Sequence, residues 1–362
     1  MVVDLARAAV EQNHSVCVAC TQESVDGYGN YPEHLEALEQ MQIQVVFLDS
    51  TFSREPAKNL QASKALLATM SNRCPDLIHS HSSIPSMVSM DAIAGLKKKI
   101  PILQTMHGWG IFKTEEQERQ DIEILDRVDH VVSISKSSEA LLLRKGLSNP
   151  NRSFINNGLE RTVSKEGSFD EHLDKIKSLK EDGCKIIGII GTVDARKNQS
   201  LVLDALSALP EKLRFHAVFV GEGEELNTYR DKAKSLNLCS KVTFTGHKPS
   251  GRSYVKECDL LISASLSEGA APLAILEAFS EKTPVLASDT PENKEAIEDG
   301  RNGFLFRSGN ALNLSENIGG ALSSPKLDEI VNSAYDLFVS NYTLSSTMEN
   351  YLALYSRLLG SD

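Results

Sequence analysis

Two adjacent cations and two carboxylates in the second half of the chain carry its strongest chemical signal. Arg196 and Lys197 sit in GTVDARKNQSLVLDAL, where the β-branched run KIIGIIG gives way to a turn and then to helical spacing. Parallel α/β sheets bind ligands beyond the carboxyl ends of their strands. A cation pair in such a turn is therefore placed to neutralise a diphosphate; the alternative is a solvated turn pair. Further on, DLLISASLSEGAAPLAILEAFSEKTPVLASD reads as a strand, a small-residue loop, a helix from near Pro272 and another strand. Gly269, Ala270 and Ala271 leave their N–H groups open to close approach, and the helix N-terminus adds partial positive charge. Glu268 enters this loop. Glu277 lies more than a turn inside an otherwise apolar helix, where a carboxylate either faces solvent or turns into a cleft to accept hydroxyl hydrogen bonds.

Positioning these groups requires a particular framework. The chain has 362 residues, 41% of them apolar and 24% charged, which predicts two globular α/β domains of roughly 160 to 200 residues. A net charge of −11, with neither half basic, argues against nucleic acid. Short apolar runs alternate with helical patterns throughout. The candidate strands are SVCVACT, IQVVFLD, DLIHSH, PILQTMH, HVVSIS and SFINN, then KIIGIIG, HAVFVG, KVTFTG, DLLISAS, PVLASD and GFLF. Such alternation predicts right-handed crossovers and two parallel sheets. The polar stretch 161–182 reads as a linker, giving domains at 1–165 and 166–343. Residues 344–362 form a terminal helix whose stripe of Met348, Tyr351, Leu352, Tyr355, Leu358 and Leu359 needs a surface, for which the first domain is the candidate. Residues 2–10 already read as helix, so the first domain lacks the strand that normally opens a doubly wound sheet. Cys17 and Cys20 lie three apart on a strand, about 10 Å from each other, which reads as buried strand residues and not a disulfide. Scattered cysteines and the lack of a signal peptide or long apolar run predict a cytoplasmic protein, with room for peripheral contact at the inner membrane face.

The ordered set GTVDARKN, VFVGEGEEL, VTFTGHKP, SEGAAPLAILEAFSEKTPVLASD and EAIEDGRNGFLF resembles the family 4 glycosyltransferases. The likeness continues through DLARAAVEQNHSV, DLIHSHSSIPS, MHGW, VSISKSSEALLLRKG and INNGLE, and so covers nearly the whole chain. It implies a GT-B fold: two Rossmann-like doubly wound domains facing a cleft, here without the opening strand of the first. It also implies retaining, metal-independent transfer of a sugar from a nucleoside diphosphate sugar to an acceptor hydroxyl, with no cofactor.

The resemblance assigns roles residue by residue. Lys197 matches the lysine that contacts the donor diphosphate. Glu277 matches the carboxylate that holds the nucleotide ribose, and Glu268 the one beside the transferred sugar, near the amides of Gly269 to Ala271. His107, in MHGW, matches the histidine that reaches the donor sugar. Gly246 and His247 stand where the base-binding loop begins. Two spacings depart from the family pattern. Gly191 is followed by Thr192 where Arg is usual, so Arg196 is expected to supply that charge; and eight residues separate Glu268 from Glu277 where seven is usual. The expected donor is a UDP- or GDP-sugar, and the expected acceptor a saccharide or lipid-linked saccharide. A non-catalytic partner that keeps the fold and a sugar-nucleotide epimerase are the alternatives.

Overall fold

A computed structural model of the chain describes residues 2–21, 32–49, 52–110, 113–161, 170–248, 250–267 and 273–360. These residues divide into two compact units: residues 1–158 with 344–362, and residues 159–343.

Unit 1 begins with α1 (Val2–Glu11), β1 (Cys17–Thr21), α2 (Pro32–Gln40), β2 (Gln44–Leu48), α3 (Pro56–Arg73) and β3 (Ile78–Ser80). It continues with α4 (Ser83–Ala94), β4 (Ile102–Met106), α5 (Glu115–Leu125), β5 (His130–Ser133), α6 (Lys136–Arg144) and β6 (Arg152–Phe154). Its strands form two parallel sheets, β1–β2 and β3–β4–β5–β6. Helix α1 precedes β1, and its Leu5, Ala8 and Ala9 pack with Leu103, Val132, Met348, Tyr351 and Leu354. The same helix contributes Ala6 to a second cluster with Leu38 and Ile43, so it lies under both sheets. Cys17 and Cys20 are free thiols on β1, half-buried and not fully buried as their apolar surroundings suggest.

Unit 2 comprises α7 (Glu171–Glu181), β7 (Lys185–Ile190), a 3-10 turn (Ala195–Lys197), α8 (Gln199–Ser207), β8 (Phe215–Val220), α9 (Leu226–Ser235) and β9 (Val242–Gly246). There follow α10 (Arg252–Val255), β10 (Leu260–Ser263), α11 (Leu273–Ser280), β11 (Val285–Ser288), α12 (Pro291–Ala296), β12 (Phe304–Phe306), α13 (Ala311–Leu322) and α14 (Leu327–Asn341). The last helix, α15 (Leu344–Leu359), belongs to unit 1. Among the described residues each of the twelve strands overlaps one of the runs read as strands, β6 and β8 beginning one residue earlier, at Arg152 and Phe215. The six of unit 2 form one parallel sheet in the order β12-β11-β10-β7-β8-β9. Helices cover both faces, so β7 and β8 are buried over most of their length and apolar apart from Lys185 and His216.

Part of the stretch read as a linker is folded. Residues 171–181 form α7 because Leu173, Ile176 and Leu179 recur at helical spacing and pack with Ile186, Val218 and Tyr254. Asp170 caps this helix, accepting from the N–H groups of His172 and Leu173 and from the Tyr254 hydroxyl at 2.6 Å.

Candidate functional site

The topology of unit 2 places its site. The chain winds from β7 outward to β8 and β9, then returns to β10 on the other side of β7. The order reverses between β7 and β10, and the loops leaving these strands diverge over a crevice at their carboxyl ends.

The loop after β7 is built on backbone contact. Gly191 has φ +142° and Gly221 φ +143°, and a Cβ on Gly221 would stand 2.0 Å from the Gly191 carbonyl oxygen. The Gly191 N–H donates to the Val220 carbonyl, and the Gly221 N–H to the Gly246 carbonyl. Gly221 thus joins the loop after β7 to the end of β9 at Gly246. His247, the next residue, is exposed on this rim.

Asp194 shapes the turn that carries the cations. One of its carboxylate oxygens accepts the Lys197 N–H at 2.8 Å, and the other accepts the Thr192 hydroxyl at 3.0 Å. The Lys197 side chain then folds back over Gly191, where a Cβ would lie 3.6 Å from its Cε and 3.9 Å from its Nζ. Arg196 is turned elsewhere. Its guanidinium lies 3.5 Å from the Asp194 carboxylate and donates to the Ser267 carbonyl at 3.4 Å, while its own carbonyl accepts the Leu266 N–H. Arg196 therefore braces the loop after β7 against the loop after β10. Glu268, Gly269, Ala270 and Ala271 lie outside the described residues.

Glu277 comes up on the other side of β7. A Cβ on Gly251 would lie 3.9 Å from Glu277 Oε2 and 2.9 Å from Cγ2 of Ile190, the last residue of β7. Among the described residues nothing donates a hydrogen bond to this carboxylate. Arg252, the cation nearest in its field, is already committed: its Nε donates to Glu281 at 2.6 Å and its other nitrogens to the carbonyls of Glu160 and Arg161. Burial outweighs the pull of Arg252, with Glu281 adding repulsion, and pushes the Glu277 carboxyl up to about 7. A carboxylate this poor in donors is able to accept hydrogen bonds from hydroxyl groups.

Unit 1 holds a second polar group. His79 and His81 are two apart, as are Thr105 and His107, and β3 pairs with β4 in parallel, so period-two alternation brings all four to one face. His81 Nδ1 and His107 Nε2 are 2.9 Å apart. His79 Nε2 meets the Thr105 hydroxyl at 2.7 Å and its Nδ1 the Tyr355 hydroxyl at 2.8 Å. Thr105 also meets the Tyr351 hydroxyl at 2.9 Å. Burial, with neighbouring imidazoles adding to it, lowers His79 to about 3 and His81 well below its usual range; burial likewise lowers His107 to about 4. All three are neutral at pH 7. Sequence reasoning singled out His107 and missed His79 and His81, although the HSH spacing in DLIHSH was a legible signal for two imidazoles on one face. Among the described residues no cluster of His, Cys, Asp or Glu is arranged to hold a metal ion, and no helix is long and apolar enough to cross a membrane.

A Rossmann-like sheet with a cationic turn and a half-buried carboxylate at its switch point defines a nucleotide-binding α/β protein. The family model described as Glycosyltransferase Family 4 matches residues 1–162, and Glycosyl transferases group 1 matches residues 170–335. The chain belongs to the family 4, group 1 glycosyltransferases. It is 23% identical over 340 residues to EpsD of Bacillus subtilis (strain 168), covering 89% of this chain and 88% of that one. Over 268 residues it is 24% identical to the Escherichia coli UDP-Gal:alpha-D-GlcNAc-diphosphoundecaprenol alpha-1,3-galactosyltransferase, covering 69% of this chain and 67% of that one. Among solved structures, Anabaena Alr3699/HepE in complex with UDP-glucose superposes with a TM-score of 0.80 at 19% identity, covering 100% of this chain and 95% of that one. The fold is GT-B.

Proposed function

We propose that this glycosyltransferase moves a hexosyl unit, with retention and without a metal, from a UDP- or GDP-sugar to a hydroxyl of a saccharide or lipid-linked saccharide. The observation that carries the reading is the placement of Lys197 over Gly191, just past β7, and of Glu277 by Gly251 and the last residue of β7, Ile190, at the switch point. Lys197 neutralises the diphosphate, and its charge counts most as the glycosidic bond breaks and the leaving diphosphate gains negative charge. Glu277 accepts the ribose hydroxyls, which supply the donors its carboxylate lacks. Gly246 and His247 border the base, and Arg196 holds the loops in register. In the same reading Glu268 and the amides of Gly269, Ala270 and Ala271 meet the sugar and phosphate, and His107 meets a sugar hydroxyl. The acceptor hydroxyl attacks the anomeric carbon, and its proton passes to the departing phosphate oxygen. Polysaccharide or glycolipid synthesis suits the named relatives, and lipid-linked acceptors would bring the protein to a membrane surface.

Thermal-shift screening against UDP, GDP, ADP and their hexose conjugates tests the reading. Stabilisation by one nucleotide, lost in Lys197→Ala and unchanged by EDTA, is the expected result. No response to any of them, with the protein folded, would defeat it.

A further inference from the structure

The histidine array contains more than the role assigned to His107 uses. A neutral imidazole has one N–H and one bare nitrogen, and the choice of tautomer decides whether it offers a donor or an acceptor at a given position. His107 meets His81 through Nε2, so the atom left to act on a ligand is Nδ1. The contact at 2.9 Å requires one ring to donate and the other to accept, so whichever proton His81 holds dictates what His107 presents at Nδ1. His81 is itself held. Its ring centroid lies 4.2 Å from that of His79 and 5.1 Å from that of His107, the latter pair within 18° of parallel. His79 has partners at both nitrogens, one of them Tyr355 on the helix α15. A line of fixed groups therefore runs from α15 through His79 and His81 to His107.

We propose that His81 is a positioning residue that sets the ring plane and the tautomer of His107, on a platform that α15 supplies through Tyr355 and His79. The proposal rests on the assignment of His107 to the donor sugar, and extends it to a neighbour that touches no substrate. Its consequence is specific. Removing His81 leaves donor binding nearly intact, because the nucleotide is held by unit 2, and slows the chemical step.

Two measurements on the full chain test this. The first uses the protein labelled with nitrogen-15 in its histidines, where ring shifts report the tautomer directly and need no ligand. His107 is expected in one tautomer at pH 7; His81→Ala should give exchange between both, and His81→Asn, which keeps a polar atom near the Nδ1 position, should restore one. The second follows UDP release from UDP-glucose. His81→Ala is expected to lower kcat about tenfold with KM for the donor changed less than twofold, and His81→Asn to recover most of the loss. The double variant His81→Ala/His107→Ala should be no slower than His107→Ala alone, since one acts through the other. An unaltered His107 tautomer in folded His81→Ala, or additive losses in the double variant, would overturn the proposal. If His107→Ala turns over at the wild-type rate, the assignment of His107 to the sugar is what fails. The ring shifts then still decide whether His81 fixes its neighbour.

Discussion

Unit 2 and unit 1 treat their titratable groups in opposite ways. At the rim of the unit 2 sheet, Glu277 is desolvated, receives no hydrogen bond among the described residues, and titrates near 7. In unit 1 the imidazoles of His79, His81 and His107 are equally removed from water, yet each meets a partner and stays neutral far below pH 7. A group that must take up a polar ligand is left unsatisfied at a cost in stability. A group that must hold its orientation is satisfied beforehand. In the proposed reading the contrast separates a surface that binds from a scaffold that aims, and it predicts that the two units respond differently to substitution and to pH.

Backbone substitution should show the largest difference. Gly221 has φ +143°, and its Cβ would collide with the Gly191 carbonyl at 2.0 Å, beneath the loop that carries Lys197. Gly146 in unit 1 has φ +101° but faces open space within 4 Å. Gly221→Ala therefore combines left-handed strain with a clash between main chains, and is expected to destabilise by about 4 kcal/mol or to prevent folding. Gly146→Ala suffers strain alone, about 1 kcal/mol. Urea denaturation measures both. Equal losses would mean that the close packing of the loops after β7 and β8 contributes nothing beyond φ.

Ligand affinity is the next test. In the proposed reading Lys197 pairs with a diphosphate, and truncating it removes a charge-assisted contact of about 2 to 3 kcal/mol, so Lys197→Ala should weaken the best-binding nucleoside diphosphate about 30- to 150-fold. His107→Ala should leave that affinity within about twofold, because a nucleotide without its sugar offers nothing to the unit 1 array. Calorimetric titration of both variants decides it. A large loss in His107→Ala would erase the division between a unit that binds and one that aims.

The sequence made one half of this comparison readable and concealed part of the other. Strands declare themselves as short β-branched runs between turn residues, and a buried parallel sheet exaggerates the signal because both faces are apolar. The Lys197 turn and Glu277 were legible because charged residues stand out in such surroundings. Helix α7 was obscured by its many solvent-facing Lys, Glu and Asp side chains, although three apolar residues at helical spacing suffice to bury it. The array of His79, His81 and His107 depends on β3 pairing with β4 and on α15 returning from 276 residues away to place Tyr355 against His79. No local pattern encodes that contact. The diversion of Arg196 toward Asp194 and Ser267 is equally non-local, since Ser267 follows β10.

Acid should reveal unit 1. Folding lowers the His79 and His107 pKa values to about 3 and about 4 from 6.5, so the neutral forms are favoured in the native state. Their contribution is fully present above pH 6.5 and is lost as pH falls from there toward 4. Each such imidazole should remove about 2 kcal/mol by pH 5. His216 in unit 2 and His130 in unit 1, both lowered to about 4 by burial, add acid limbs of similar size. His79→Gln, which keeps a polar atom near Thr105, should flatten the loss between pH 6.5 and 5 as followed by chemical denaturation. An unchanged slope would show that His79 is already charged in the native array.

The smallest effect has the opposite sign and belongs to Glu277. Its carboxyl is raised to about 7 from 4.5, so folding disfavours the ionised form. Its contribution is fully present below pH 4.5 and is lost as pH rises through 7. Glu277→Gln should therefore stabilise the ligand-free protein at pH 8 by about 1 to 2 kcal/mol, after discounting for the solvent its partly exposed side chain keeps. At pH 5 the same substitution should change stability little. Nucleotide binding should move the other way. Ribose hydroxyls donate to a carboxylate better than to a carboxyl or an amide, so wild-type affinity should rise from pH 6 to pH 8 while that of Glu277→Gln stays flat and weaker. A variant that is more stable alone and poorer at holding the ligand would identify Glu277 as a group kept unsatisfied for binding. A variant that loses stability at pH 8 would place the carboxylate in the same class as the imidazoles of unit 1, and the contrast between the two units would fall.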